Sequence, residues 1–201
     1  MNASDRLGPG SAVPARELES VTGAPALVPD GEHLVHLQFR RFAGCPICNL
    51  HLRSVVRRHD EIEAAGVREV VVFHSSAGEL REHVADLPFA VVADPRKRLY
   101  AEFGVEAVPR ALLHPRAWWP LLRAVTEGTW RIARKLDRAP AGLPENGRFG
   151  LPADFLIAPD GRVAAAKYGE HANDQWPVDE ILARAAESYG SARPVRTSTR
   201  A

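Results

Sequence analysis

Cys45 and Cys48 are the only two cysteines among 201 residues, and Pro46 and Ile47 alone separate them. Thiols at this spacing suit a reversible dithiol/disulfide couple. The reactive species is the thiolate, and a free thiol of pKa about 8.5 is only about 3% ionised at neutral pH. Helix N-termini, a C-x-x-C partner and nearby cations can lower that value to roughly 3.5–7.5. Two arginines, Arg40 and Arg41, lie just upstream as candidate thiolate support. On this reading Cys45 is the low-pKa nucleophile and Cys48 the resolving thiol.

The flanking segments must place the pair where a strand runs into a helix. Leu34-Val35-His36-Leu37-Gln38-Phe39 alternates apolar and polar residues like a half-buried strand. Beyond Cys45 the apolar residues Leu52, Val55, Val56 and Ile62 recur at helical spacing, and Gly66 is a natural stop. Cys45 then sits at the first turn, with Pro46 in the first helical position, where a missing N–H costs nothing. Unpaired N–H groups of that turn favour negative charge on the sulfur.

Other chemistries for the same residues stay open. The cysteines could be small buried apolar residues. Cys45, Cys48 and His51 form a C-x2-C-x2-H run, but closed zinc sites need four ligands and there is no second cysteine pair, so no metal is expected. A purely structural disulfide across so short a loop would constrain the unfolded chain little.

Composition argues for one domain with tails. The net charge of +1 gives no electrostatic case for nucleic-acid binding. No apolar run is long enough for a membrane span, and Met1-Asn2-Ala3-Ser4-Asp5-Arg6 does not begin a secretory signal. A cytoplasmic location is therefore expected, where a C-x-x-C is more often catalytic than structural.

Along the chain, residues 1–30 read as an extended lead-in and 31–188 as the domain, with a disordered tail over 189–201. Val67 to His74 is an apolar run suited to a strand covered on both faces. Ser75 and Ser76 cap a helix through Glu79, Leu80 and Val84, and Phe89 to Ala93 is the next strand. Asp94-Pro95 caps a helix from Arg96 to Phe103. Ala153 to Ile157, a turn at Pro159-Asp160-Gly161 and Arg162 to Tyr168 form a hairpin. Pro177 to Glu180 opens a last helix reaching about Ser188. This order predicts an α/β sandwich with a mixed sheet.

The strand feeding Gly44-Cys45-Pro46-Ile47-Cys48, the stretch Asp94-Pro95-Arg96-Lys97-Arg98-Leu99-Tyr100, and Gly150 to Ile157 followed by Asp160-Gly161 resemble the thioredoxin-like superfamily. Within it the chain is most similar to the peroxiredoxin-like branch of the alkyl hydroperoxide reductase/thiol-specific antioxidant (AhpC/TSA) family. The resemblance implies a three-layer sandwich, a central mixed β-sheet flanked by helices, with a helical insertion (about 110–148) before the last hairpin. It implies Pro152 as a cis-proline facing the dithiol, with Pro109 as rival, and substrate positioning by Pro152, Pro46 and Gly44. Peroxiredoxins proper carry Thr or Ser three residues before the peroxidatic cysteine and Arg before the last hairpin; here Phe42 and Pro152 stand there. Both departures remove electrostatic help to a bound peroxide, which shifts the expectation towards disulfide chemistry.

The expected function is thus a thiol–disulfide oxidoreductase. A thiol-dependent peroxidase acting on hydroperoxides and a non-enzymatic redox-sensing adaptor are the alternatives. The redox-active Cys45–Cys48 disulfide would serve in place of any cofactor. An external reductant, a thioredoxin or a low-molecular-weight thiol, must regenerate the dithiol. The segment with Trp118, Trp119, Trp130 and several arginines over 116–138 suggests an amphipathic helix. It could be an inserted core helix, a lid, a homodimer surface or a membrane-surface helix. His51 and His74 read as ordinary surface histidines, with proton acceptance from Cys48 as the alternative for His51; Asp154 reads as a half-exposed strand residue, with orientation of a partner amide as its alternative, and Tyr168 to Trp176 as a surface loop.

Overall fold

A computed structural model of the chain describes residues 6–84, 86–105, 122, 125, 126, 130, 134 and 150–191. Pro109 and most of the expected insertion and tail lie outside these residues. Strands β1 (Arg16–Leu18) and β2 (Ala26–Val28) form a small antiparallel pair, so the lead-in carries a hairpin of its own. The central sheet is built from β3 (Leu34–Arg40), β4 (Val67–Phe73), β5 (Ala90–Ala93), β6 (Ala153–Ile157) and β7 (Val163–Tyr168), in the order β5-β4-β3-β6-β7. β3, β4 and β5 run parallel, while β6 is antiparallel to both β3 and β7, as the predicted mixed sheet requires. The β6–β7 hairpin turns at Gly161, whose φ of +82° suits glycine.

Two apolar layers cover the sheet. On one face Leu34, Val67, Val71, Phe73, Val91 and Leu156 pack against helices α1 (Pro46–Arg57), α2 (His59–Ala64), α3 (Ala77–Val84) and α5 (Val178–Ser191). On the other, Val35, Leu37, Phe39, Val70, Val72 and Phe155 meet α4 (Arg98–Glu102), Phe103 and the N-terminal hairpin. The result is the three-layer α/β sandwich expected from the order of elements.

Local chemistry sets the element ends. Ser76 and Glu79 form a reciprocal cap on α3: the Glu79 N–H reaches Ser76 Oγ at 3.4 Å and the Ser76 N–H reaches Glu79 Oε2 at 3.2 Å. Asp94 accepts from the N–H groups of Arg98, Leu99 and Tyr100, but Lys97 adopts a left-handed conformation, so α4 starts at Arg98 and is shorter than expected. The helix predicted to run from the dithiol to Gly66 is broken at Arg58, whose guanidinium is held by Glu61 and Asp179. The last helix passes Gly190 and ends at Ser191, beyond the predicted Ser188.

One expectation about β3 is overturned. All seven of its residues are buried, including His36, Gln38 and Arg40. The alternation is real, but its polar face lies under α1 and α5, where charges from other elements satisfy it.

Candidate active site

The dithiol lies beyond the C-terminal end of β3. The chain leaves the sheet at Arg41, passes Gly44 at φ +73°, and enters α1 with Cys45 as N-cap and Pro46 in the first turn. Ser75, beyond the end of β4, fixes this loop by accepting the Ala43 N–H at 2.9 Å, and the His74 N–H donates to Arg41 O at 3.1 Å. Both cysteines are free thiols, with 0% of Cys45 and 2% of Cys48 exposed.

Arg41 is the cation of the site. Its Nη2 lies 2.9 Å from Cys45 Sγ, to which the Cys48 N–H also points at 3.5 Å. Despite burial, which disfavours charge, the two sulfurs hold the Arg41 guanidinium firmly protonated. Arg41 also lies over the Phe42 ring, 5.7 Å from its centroid.

The two thiols titrate as one unit sharing a proton. A hydrogen bond from Cys45, opposed by burial and helped by the Arg41 charge, lowers Cys48 to about 6. Burial, and then the hydrogen bond and charge of Cys48, push Cys45 well above the usual thiol range. Cys45 is as deeply buried as its partner, so its N-cap position gives it no advantage in solvation. Arg41 reaches both sulfurs, with Nη2 2.9 Å from Cys45 Sγ.

Arg40, expected beside Arg41 as thiolate support, is turned under α1 instead. Its Nη2 lies 2.6 Å from Asp154 Oδ1 and donates to Gln38 Oε1 and to His51 Nε2 at 3.1 Å. It acts on Cys48 only as a charge at a distance. His36 completes this cluster: Nδ1 is 2.9 Å from Glu69 Oε2 and Nε2 is 3.3 Å from Asp154 Oδ1. Although burial opposes it, Glu69 and Asp154 raise His36 to about 9. Asp154, opposed likewise by burial, is held far below the usual carboxylate range by Arg40 and His36. Two cations thus face two carboxylates inside the sheet–helix layer.

Several residues assigned to the surface belong to this interior. Asp154 is fully buried, and its Oδ2 accepts the Trp176 N–H at 3.2 Å. The expected surface loop therefore ends in a buried tryptophan, stacked on His36 with centroids 5.7 Å apart. His51 is buried, and burial with the neighbouring Arg40 keeps it neutral. His74 is buried beside the dithiol loop.

Pro152 is not the expected cis-proline. Among the described residues the only cis peptide bond is Val28–Pro29. Pro152 leads straight into β6, its carbonyl accepting the Gly169 N–H at 2.9 Å in continuation of the β6–β7 pairing. The preceding Gly150 does reach the site: a Cβ there would lie 3.5 Å from Arg41 Cγ. Gly44 and Pro46 shape the turn that presents Cys45. Among the described residues, no group of three or more His, Cys, Asp or Glu side chains could hold a metal, and no helix is long and apolar enough to cross a membrane.

Known proteins share this architecture. At 18% identity, the crystal structure of peroxidoxin BcpB from Mycobacterium tuberculosis superposes with a TM-score of 0.60, covering 90% of this chain and 98% of that one. Peroxiredoxin 6 of Arenicola marina gives a TM-score of 0.64 at 15% identity over 93% of this chain and 76% of its own. The thioredoxin-like protein AAED1, chloroplastic, of Arabidopsis thaliana is 24% identical over 151 residues, 72% of this chain; the match spans 58% of the length of that relative. The model of the AhpC/TSA antioxidant enzyme family matches residues 54–171, which begins beyond the dithiol and takes in β4 to β7. That match covers more than half of the sequence, and with it the chain belongs to the AhpC/TSA antioxidant enzyme family.

Proposed function

We propose that the chain is a thiol–disulfide oxidoreductase working through Cys45 and Cys48. The observation that carries this reading is the Arg41 guanidinium 2.9 Å from Cys45 Sγ, with the second thiol one turn along the same helix. When the shared proton moves from Cys45 to Cys48, negative charge is left on Cys45, where Arg41 and the Cys48 N–H both donate. Cys45 then attacks a substrate disulfide. The substrate S–S bond breaks, a mixed disulfide forms on Cys45, and one substrate sulfur leaves as a thiolate. Cys48, deprotonated again, attacks Cys45 Sγ and expels the second substrate sulfur. The substrate gains two electrons and the protein gains the Cys45–Cys48 disulfide. A thioredoxin or a low-molecular-weight thiol returns the pair to the dithiol in the cytoplasm.

The lowered pKa of Cys48 favours a second assignment, in which Cys48 attacks and Cys45 resolves. Trapping separates the two. The Cys48→Ser variant should accumulate the mixed disulfide on Cys45, and Cys45→Ser should react at least tenfold more slowly; the reverse pattern exchanges the roles.

Peroxide reduction draws support from the antioxidant family itself. In that reading the thiolate attacks a peroxide oxygen, the O–O bond breaks, the far oxygen leaves and takes a proton from water as an alcohol or water, and the sulfenic acid condenses with the other thiol, releasing a further water. Phe42 offers no hydroxyl to such a substrate. Disulfide exchange asks for no such donor set and is the preferred function.

A further inference from the structure

The residue that follows β4 plays no part in the scheme above. Only 1% of His74 is exposed, and among the described residues neither ring nitrogen has a hydrogen-bond partner. An imidazole buried in this way loses its bonds to water and regains none in the resting fold. The aromatic neighbour explains only one side of the ring: Tyr100 meets it edge-on at 5.9 Å and 71°, with its own hydroxyl committed to the carbonyls of Arg40 and Val72.

The other side is shared with the dithiol site. A Cβ on Gly150 would lie 3.6 Å from His74 Nε2 and 3.5 Å from Arg41 Cγ, so the bare backbone at Gly150, the imidazole and the Arg41 stem converge on one place. The far end of Arg41 touches Cys45 Sγ, and the His74 N–H is bonded to Arg41 O. Burial first, then the charges of Lys97 and Arg41, bring His74 down to about 4, so the ring is neutral at pH 7. A neutral imidazole still carries one N–H donor in either tautomer.

We propose that His74 donates a hydrogen bond to the substrate sulfur that departs when Cys45 attacks, beside Arg41, and is thereby a catalytic residue of the exchange. This rests on the disulfide reading above. In the step, the Cys45 sulfur forms its bond to the near substrate sulfur, the substrate S–S bond breaks, and its electron pair goes to the far sulfur. That thiolate accepts the His74 N–H and takes its proton from water, so the ring ends the step as it began. The buried nitrogens that lack partners in the resting state then acquire one as charge develops.

The test compares two disulfides with the full-length reduced chain: an aromatic nitrobenzoate disulfide, whose leaving thiol is acidic, and hydroxyethyl disulfide, whose leaving thiol is not. A donor to the leaving sulfur matters more for the poorer leaving group. His74→Phe should slow reaction with hydroxyethyl disulfide by about tenfold and with the aromatic one by about twofold. His74→Gln, which keeps a donor, should recover most of the loss. The melting temperature of His74→Phe should be no lower than that of the natural chain, since it removes unpaired polar atoms from the interior. Should His74→Phe not fold, His74→Leu against His74→Gln carries the same comparison. Equal slowing of both disulfides, or of neither, would overturn the assignment while leaving the dithiol reading intact. A natural chain that reacts with neither disulfide overturns both.

Discussion

After the hydrogen bond between the two thiols, the Arg41 charge favours the thiolate, its Nη2 2.9 Å from Cys45 Sγ. Arg41→Met keeps the stem over Phe42 and removes the charge. The Cys48 thiol, lowered to about 6, should move up by about one unit. At neutral pH the reaction with disulfides should slow several-fold, and thiolate absorbance followed against pH measures the shift directly. Arg41 was legible in the sequence because it precedes the cysteines by a few residues. Arg40 was misread for a reason equally local: it is the last residue of β3, and the alternation of the strand turns its side chain under α1 while Arg41, past the strand, is free to reach Cys45. His51, His74 and Asp154 were assigned to solvent because nothing in their own segments names a partner. Asp154 finds Arg40 114 residues away, and His51 meets the same arginine only because β3 turns it under α1.

Between β3, β4, β6 and α1 the buried cluster of His36, Arg40, Glu69 and Asp154 ties strand to strand and helix to sheet. Removing one member leaves an opposite charge stranded in the interior. Asp154→Asn should cost about 3–5 kcal/mol in urea unfolding at neutral pH. The cluster also makes stability depend on pH with a defined sign. His36 binds its proton more tightly in the folded chain, at about 9 against an ordinary 6.5. Its contribution, roughly 3 kcal/mol, is complete below about 6.5 and is lost as pH rises through 9. Asp154, held down by Arg40 and His36, works in the other direction: its contribution is present above the ordinary carboxylate range near 4 and fades in acid. Unfolding free energies should therefore fall between about pH 6.5 and 9, and a flat profile there would show His36 to be neutral in the fold. Ser75 acts at the same scale by holding the dithiol loop to the end of β4. Ser75→Ala leaves the Ala43 N–H without its acceptor and should destabilise the fold by about 1–3 kcal/mol. The elements themselves were largely readable, because continuous apolar runs, a Ser-x-x-Glu cap and an Asp-Gly turn each carry a short-range signal. The break at Arg58 was not, since Asp179, on the last helix, helps to hold it.

At the scale of the whole molecule, the order of elements led to the mixed-sheet sandwich, and the family match fixes its kinship over residues 54–171. The dithiol lies before that match, so its chemistry rests on the geometry of the β3–α1 junction. That geometry differs from the sequence-based picture in two ways: the sulfurs are both covered, and Pro152, expected as a cis-proline, is trans. Neither difference removes the Arg41–Cys45 contact. The central claim is a preference between two oxidants, and stopped-flow mixing of the reduced chain with hydroxyethyl disulfide or with hydrogen peroxide at equal concentration tests it most directly. Formation of the Cys45–Cys48 disulfide, followed by quenched alkylation and mass mapping, should be faster with the disulfide and absent in Cys45→Ser. Faster oxidation by peroxide, with sulfenic acid trapped on either cysteine, would contradict it.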